Sequence, residues 1–152
     1  TNMRGNAMPA GFTILIADRN RHVRNFLRRE LLKEGYRVEV ATDGRDILRK
    51  MNVDGPPDLL ILDLEIPYVG GLTILKRLRH RYAHLPVIIH TFPTEDANDP
   101  VVQSAAAFVE KIGNTDRLKR IIQRVLREYY PHRSGGGKGS EDKECFERRL
   151  TE

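Results

Sequence analysis

The sequence predicts an α/β fold: a doubly wound, five-stranded parallel sheet with helices on both faces. Three observations predict it. Short, continuously apolar runs recur along the chain, the kind of strand that a parallel sheet buries on both sides. Longer segments with apolar residues at helical spacing lie between them. The two kinds alternate through five units, and right-handed crossovers then leave few arrangements other than the doubly wound sheet.

The elements follow in order. Thr13–Ala17 (TILIA) reads as the first strand. Asn20 can cap a helix whose Val23, Phe26, Leu27, Leu31 and Leu32 share one side, and Gly35 ends it. Arg37–Ala41 (RVEVA) alternates as a strand. Thr42 or Asp43 starts a helix carrying Ile47, Leu48 and Met51, which Gly55-Pro56-Pro57 breaks. Asp58–Asp63 is an apolar strand with an acid at each end. Leu72–Tyr82 is helical, with Leu72, Leu75 and Leu78 on one side. Pro86–His90 and Ala105–Val109 supply the fourth and fifth strands. Between Thr91 and Ala105, two prolines, two aspartates and Asn98 leave room for only a short or irregular fourth helix. Thr115 or Asn114 caps a last helix with Leu118, Ile121, Ile122, Val125 and Leu126 inward.

Bulk properties bound the function. A chain of 152 residues, 39% apolar and 31% charged, suits one soluble domain with tails. Residues 1–11 read as a flexible N-terminal segment, 12–131 as the domain, and 132–152, with its SGGGKGS run, as a flexible Gly-rich tail. Apolar runs such as Leu59–Leu62 are far short of the ~20 residues that span a membrane. No secretory pattern opens the chain, and a cytoplasmic location is expected. The one cysteine, Cys145, allows no intrachain disulfide and no cysteine-based metal cluster.

In an open parallel sheet, ligands bind beyond the carboxyl ends of the strands, where strand order reverses. The side chains at those ends are Asp18 and Arg19, Asp63, Thr91 and Lys111. Taken singly, each has an ordinary reading: a cap, a turn residue, a β-former, a solvated charge. Together they set two carboxylates, an alcohol and an amine at one edge. Phosphoryl transfer needs such a set: one carboxylate attacks phosphorus, a hard dication and the amine neutralise its oxygens, and the alcohol binds another.

Over about 120 residues, Phe12 to Tyr130, the sequence resembles the receiver domains of response regulators in two-component signalling and phosphorelays. The matching stretches are ILIADRNRHVRNFLRREL, PDLLILDLEIPYVGGLTILKRLR, LPVIIHT and AAFVEK. The second is the most specific: an apolar strand ending in Asp, then L-x-I-P, then Gly-Gly opening a helix. The resemblance implies the flavodoxin-like strand order 2-1-3-4-5. It implies that Asp63 is the phosphoacceptor and that Asp18, Asp63 and the backbone carbonyl of Glu65 hold Mg²⁺. Thr91 and Lys111 would bind the phosphoryl group, and Phe108 would change rotamer with Thr91 on activation. The spacing 63 − 18 = 45 is the family's, and 91 − 63 = 28 and 111 − 91 = 20 are slightly short.

Three positions depart from the family pattern. Arg19 stands where a second acid usually ligates the metal, so Mg²⁺ affinity should fall. Its guanidinium either swings into solvent or supplies charge to phosphate oxygens. Phe92 follows Thr91 where a small side chain is usual, and its ring could shield the site or pack on the sheet edge. Ile112 replaces the proline after Lys111, which predicts a trans bond.

The expected partners are a histidine kinase or phosphotransfer protein, and a downstream protein or second copy at the helix 4/strand 5/helix 5 face. A degenerate receiver that acts by contact alone is the alternative. An enzymatic role is not expected beyond self-catalysed phosphorylation and dephosphorylation. A phosphatase could use Asp63 with Glu65 as general acid, but Pro67 and Gly70-Gly71 follow the receiver pattern. Nucleic acid is not the expected partner despite a net charge of +5. The arginines and lysines lie on the outer sides of amphipathic helices, with no helix-turn-helix, zinc spacing or interleaved aromatics. No membrane partner is expected. The assignment requires Asp63 to stand at an open rim.

Overall fold

The computed structural model describes residues 11–134. Residues 1–10 of the expected N-terminal segment, and residues 135–152 of the expected tail with Cys145, lie outside them. Five strands, β1 (Thr13–Ala17), β2 (Arg37–Ala41), β3 (Leu59–Leu62), β4 (Val87–Thr91) and β5 (Ala107–Glu110), form one sheet in the order β2-β1-β3-β4-β5. Every pairing is parallel. This is the expected 2-1-3-4-5 order, and its reversal point falls between β1 and β3.

Four helices connect the strands, α1 (Arg21–Lys33), α2 (Gly44–Asp54), α3 (Gly71–Arg81) and a four-residue α4 (Pro100–Gln103), and α5 (Asp116–Tyr129) follows the last strand. Strand pleating divides the core. Ile14, Ile16, Leu59 and Ile61 point to α1 and α5, where they meet Leu27, Leu31, Leu118, Ile122 and Val125. Leu15, Ala17, Leu60 and Leu62 point the other way, to Ile47, Met51, Ile74, Leu75 and Leu78. Each fully buried aliphatic side chain contributes about 1.5–3 kcal/mol. The two layers therefore hold the strand ends rigidly enough to place a site.

Local chemistry sets the boundaries. The Asn20 side chain accepts from the Val23 amide and caps α1. Asp43 accepts from the Asp46 amide and caps α2, which Gly55 closes at φ 80°. After β4, Thr94 caps a single 3₁₀ turn (Glu95–Asn98) and Asp99 caps α4, which buries only Val102. Two caps and two prolines in so short a stretch leave no length for a regular helix. The fifth strand begins at Ala107 rather than Ala105, because the Ala105 amide is still bonded to the Val102 carbonyl of α4.

Helical structure continues past Pro131, where the sequence suggested that the domain ends. Pro131–Ser134 form a further turn, α6. Arg133 pairs with Asp58 at 2.7 Å, donates to the Gly11 carbonyl and lies over the rings of Phe12 and Tyr130. The Tyr130 hydroxyl donates to the Asp58 carbonyl at 2.6 Å. The chain's two described ends are thus tied together at the edge opposite the strand carboxyl ends. Among the described residues, no helix is long and apolar enough to cross a membrane.

Candidate functional site

Asp18 directly follows β1, Asp63 directly follows β3, Thr91 ends β4 and Lys111 directly follows β5. Because the four strands are parallel and in register, all four residues reach the same edge. The structure brings together the acid pair, the alcohol and the amine that the sequence singled out.

Asp63 accepts three hydrogen bonds and faces one cation. Its Oδ1 receives the Glu65 amide at 3.0 Å and the Thr91 hydroxyl at 3.3 Å. Its Oδ2 receives the Arg19 amide at 3.3 Å and faces the Lys111 ammonium at 3.2 Å. The same ammonium lies 2.6 Å from Asp18 Oδ2, while Asp18 Oδ1 takes the Asn20 amide at 2.8 Å. One cation therefore bridges two buried carboxylates. Burial pushes the Asp18 carboxyl above its ordinary pKa; the Lys111 and Asn20 hydrogen bonds pull it back, without cancelling the shift.

The rim is not open, so the condition the sequence set for the phosphoacceptor role is not met as the side chains stand. The Asp63 side chain has 0% of its surface exposed, and Lys111, at 6%, is folded down onto it. The physical reason is electrostatic: two carboxylates removed from water draw the nearest cation between them. Both oxygens of Asp63 are thus engaged in this arrangement. Of these partners, Lys111 is the one on the longest side chain.

The atypical positions surround this closed centre. Arg19 neither lies free in water nor reaches Asp63 with its side chain. Its guanidinium pairs with Glu65 at 2.8 Å, both groups about half exposed. The general acid that a phosphatase would need is therefore held by an arginine. Phe92 is exposed, with Lys111 Nζ 5.3 Å from its ring centre, so it adds a cation–π contact to the lysine. The Lys111–Ile112 bond is trans, as are all peptide bonds among the described residues, and Ile112 is exposed. Phe108 is partly buried against the layer facing α2 and α3 and takes no part in the hydrogen bonds around Asp63.

Two residues escaped the sequence reading. Arg24, grouped there with the solvated charges of the first helix, donates to the carbonyls of Asp18 at 2.8 Å and Arg19 at 3.2 Å and so fixes the loop that carries them. No periodic signal marks it, because it serves a loop rather than a helix face. His90 precedes Thr91 with its Nδ1 buried and unpartnered. Burial, and then the Lys111 charge, push its pKa down to about 4. Its place at the end of an apolar run was the only available sign. His90 and Lys111 also line a cavity of about 350 Å³ between α1 and the loop after β5.

The loop after Asp63 is held by close backbone packing. Gly71 abuts the Leu64 backbone so tightly that an added Cβ would lie 2.6 Å from the Leu64 Cα. Tyr68 has φ 70°, strained for a non-glycine, and the Arg45 guanidinium lies 3.7 Å from its ring centre. Among the described residues, no three acids, histidines or cysteines converge as a metal cluster. Two carboxylates do converge, on the point that Lys111 occupies.

Comparison with known proteins gives a consistent picture. The family model described as response regulator receiver domain matches residues 14–123. The chain is 41% identical over 125 residues to the response regulator MprA of Mycobacterium leprae, covering 78% of this chain and 52% of that protein. It is 33% identical over 110 residues to the CAI-1 autoinducer sensor kinase/phosphatase CqsS of Vibrio cholerae, covering 69% of this chain and 16% of that protein. The chain thus spans about half or less of the length of these curated relatives. Among solved structures it resembles the response regulator TrrA of Thermotoga maritima in complex with Mg²⁺-BeF, with TM-score 0.70 and 31% identity over 75% of this chain and 98% of that one. TrrA in complex with the histidine kinase ThkA matches with TM-score 0.69 and 31% identity, over 76% and 98% of the two chains.

Proposed function

The chain belongs to the response regulator receiver domain family of two-component signalling, and on that premise we propose that Asp63 accepts a phosphoryl group from a histidine kinase or phosphotransfer protein. One observation carries the reading: the Arg19 amide, the Thr91 hydroxyl and the Lys111 ammonium, from the ends of three strands, converge on the carboxylate that follows β3, and Lys111 joins it to Asp18. In the transfer, an Asp63 oxygen forms the O–P bond as the donor's N–P bond breaks, and the electron pair returns to the donor imidazole. Lys111 and Thr91 pass from the carboxylate to the phosphoryl oxygens. Phosphohistidine donors draw on ATP, so the reading carries a cytoplasmic location.

The residues present fit Mg²⁺. The Lys111 ammonium already bridges Asp18 and Asp63 at 2.6 and 3.2 Å, so both acids converge on one cation-sized point. Mg²⁺ needs only one or two carboxylates beside water and phosphate oxygens. Asp18, Asp63 and the Glu65 carbonyl would hold it, and when bound it supplies charge neutralisation to the phosphoryl oxygens. Arg19, where a third anionic ligand could stand, lowers its affinity.

Signalling follows from the same bonds. When Thr91 leaves Asp63 for the phosphoryl group, Phe108 turns and the α4/β5/α5 face takes its second arrangement, on which a downstream protein or a second copy docks. A degenerate, phosphorylation-independent receiver is the second reading. The fully covered Asp63 side chain and the arginine at position 19 favour it.

Incubation with acetyl phosphate or beryllofluoride, with and without Mg²⁺, separates the two. A mass increase or shifted amide resonances, abolished by Asp63→Asn, is the expected result. Inertness to both reagents and to phosphorylated kinases would establish the degenerate reading.

A further inference from the structure

Arg19 and Glu65 stand in a reciprocal arrangement around Asp63. The Arg19 amide holds Oδ2 at 3.3 Å and the Glu65 amide holds Oδ1 at 3.0 Å. Their side chains then join at 2.8 Å, each about half exposed. The two residues that hold the carboxylate from the backbone thus form a charged strap beside it at the surface. Lys111 is committed to two carboxylates and Arg24 to two carbonyls, which leaves the Arg19 guanidinium, held among the described residues by one half-exposed carboxylate, as the cation most easily released.

From this geometry we infer that Arg19 is a phosphoryl-binding residue of this site, and that Glu65 holds it in reserve until Asp63 is modified. The inference rests on Asp63 being the phosphoacceptor. In the resting state the guanidinium pairs with one carboxylate. A phosphoryl group on Asp63 brings about −1.5 to −2 charge at pH 7 and three acceptor oxygens. Guanidinium matches such an anion with two parallel hydrogen bonds, and a single exposed carboxylate competes poorly. The exchange is cheap: an exposed ion pair of this kind biases its geometry by roughly fivefold at most. The chain at Arg19 is already in hydrogen-bond contact with Asp63, so a side-chain rotation suffices and no backbone movement is needed. Arg19 then carries charge that a metal ligated by a second acid would otherwise supply, and the phosphorylated state forms with little dependence on Mg²⁺.

The test is beryllofluoride adduct formation followed by ¹⁹F NMR, in chelator and in Mg²⁺, with acyl phosphate from acetyl phosphate followed by intact mass. Wild-type protein is expected to form the adduct in chelator. Arg19→Ala and the bulkier Arg19→Gln, which guards against a folding artefact, should weaken the metal-free adduct roughly 10- to 100-fold. Arg19→Lys should retain part of it. Glu65→Gln, which frees the guanidinium, should strengthen the metal-free adduct by up to roughly fivefold. Arg19→Asp should make the adduct strictly dependent on Mg²⁺. A metal-free adduct untouched by Arg19→Ala, or an adduct seen in wild type only with Mg²⁺, overturns the role of Arg19 while leaving Asp63 as acceptor. No adduct or acyl phosphate in any variant under any condition overturns the acceptor reading, and this inference with it.

Discussion

Lys111 lies closer to Asp18 than to Asp63: its Nζ is 2.6 Å from Asp18 Oδ2 and 3.2 Å from Asp63 Oδ2. The amine proposed to bind the phosphoryl oxygens thus rests mainly on the neighbouring acid, almost wholly buried. On the proposed function, phosphorylation of Asp63 would pull it only a short way.

Removing that cation leaves two buried carboxylates without their shared partner. Lys111→Met should destabilise the domain by about 3 kcal/mol at pH 7. The loss should shrink at pH 4, because burial raises the Asp18 pKa and a protonated Asp18 no longer needs a cation beside it. Millimolar Mg²⁺ should recover much of the loss, since a dication can bridge the same oxygens. Urea titrations at the two pH values, with and without Mg²⁺, check this; a loss insensitive to Mg²⁺ argues that the carboxylates do not form a cation site.

His90 makes stability depend on pH in a definite direction. Burial and the Lys111 charge hold its folded-state pKa near 4, against 6.5 for the free side chain, with Asp63 acting weakly the other way. The unfolded chain therefore binds the proton first, and stability falls as pH drops from about 6.5 to about 4, by roughly 1–3 kcal/mol. Its unpartnered Nδ1 means that His90→Leu sacrifices no hydrogen bond there. That variant should show a flatter profile across the same window and equal or greater stability at pH 5, measured by denaturant midpoints.

Gly71→Ala should be costly for a backbone reason. The new Cβ would press on the Leu64 backbone at 2.6 Å, one residue after Asp63. Relief requires the loop or α3 to shift, at about 1–3 kcal/mol. The shift should also disturb the Glu65 amide that holds Asp63 Oδ1, so adduct affinity should fall together with melting temperature. An alanine variant with wild-type stability would contradict this packing.

We propose that the folded domain extends from residue 11 through Ser134 rather than ending at Pro131. Arg133→Ala removes the Asp58 pair and the contacts over Phe12 and Tyr130, with an expected cost of about 1 kcal/mol because the arginine is half exposed. Truncation after Pro131 should cost about the same, and no cost in either variant would restore the earlier boundary.

The sequence by itself determined the architecture and which side chains meet at one edge of the sheet. Continuous apolar strands can be satisfied only by a sheet covered on both faces, and a parallel sheet must present its strand ends along one edge. Asp18, Asp63, Thr91 and Lys111 were therefore legible as a group before their distances were known. Only the tertiary structure decided how that group rests: that Lys111 closes over Asp63, that Arg19 turns to Glu65, that Arg24 serves the loop and that Arg133 ties the ends together. These are choices among nearby partners for long, flexible charged side chains. Hydrophobic periodicity is a property of position along the chain, whereas the partner of a charge depends on which residues the completed fold sets beside it.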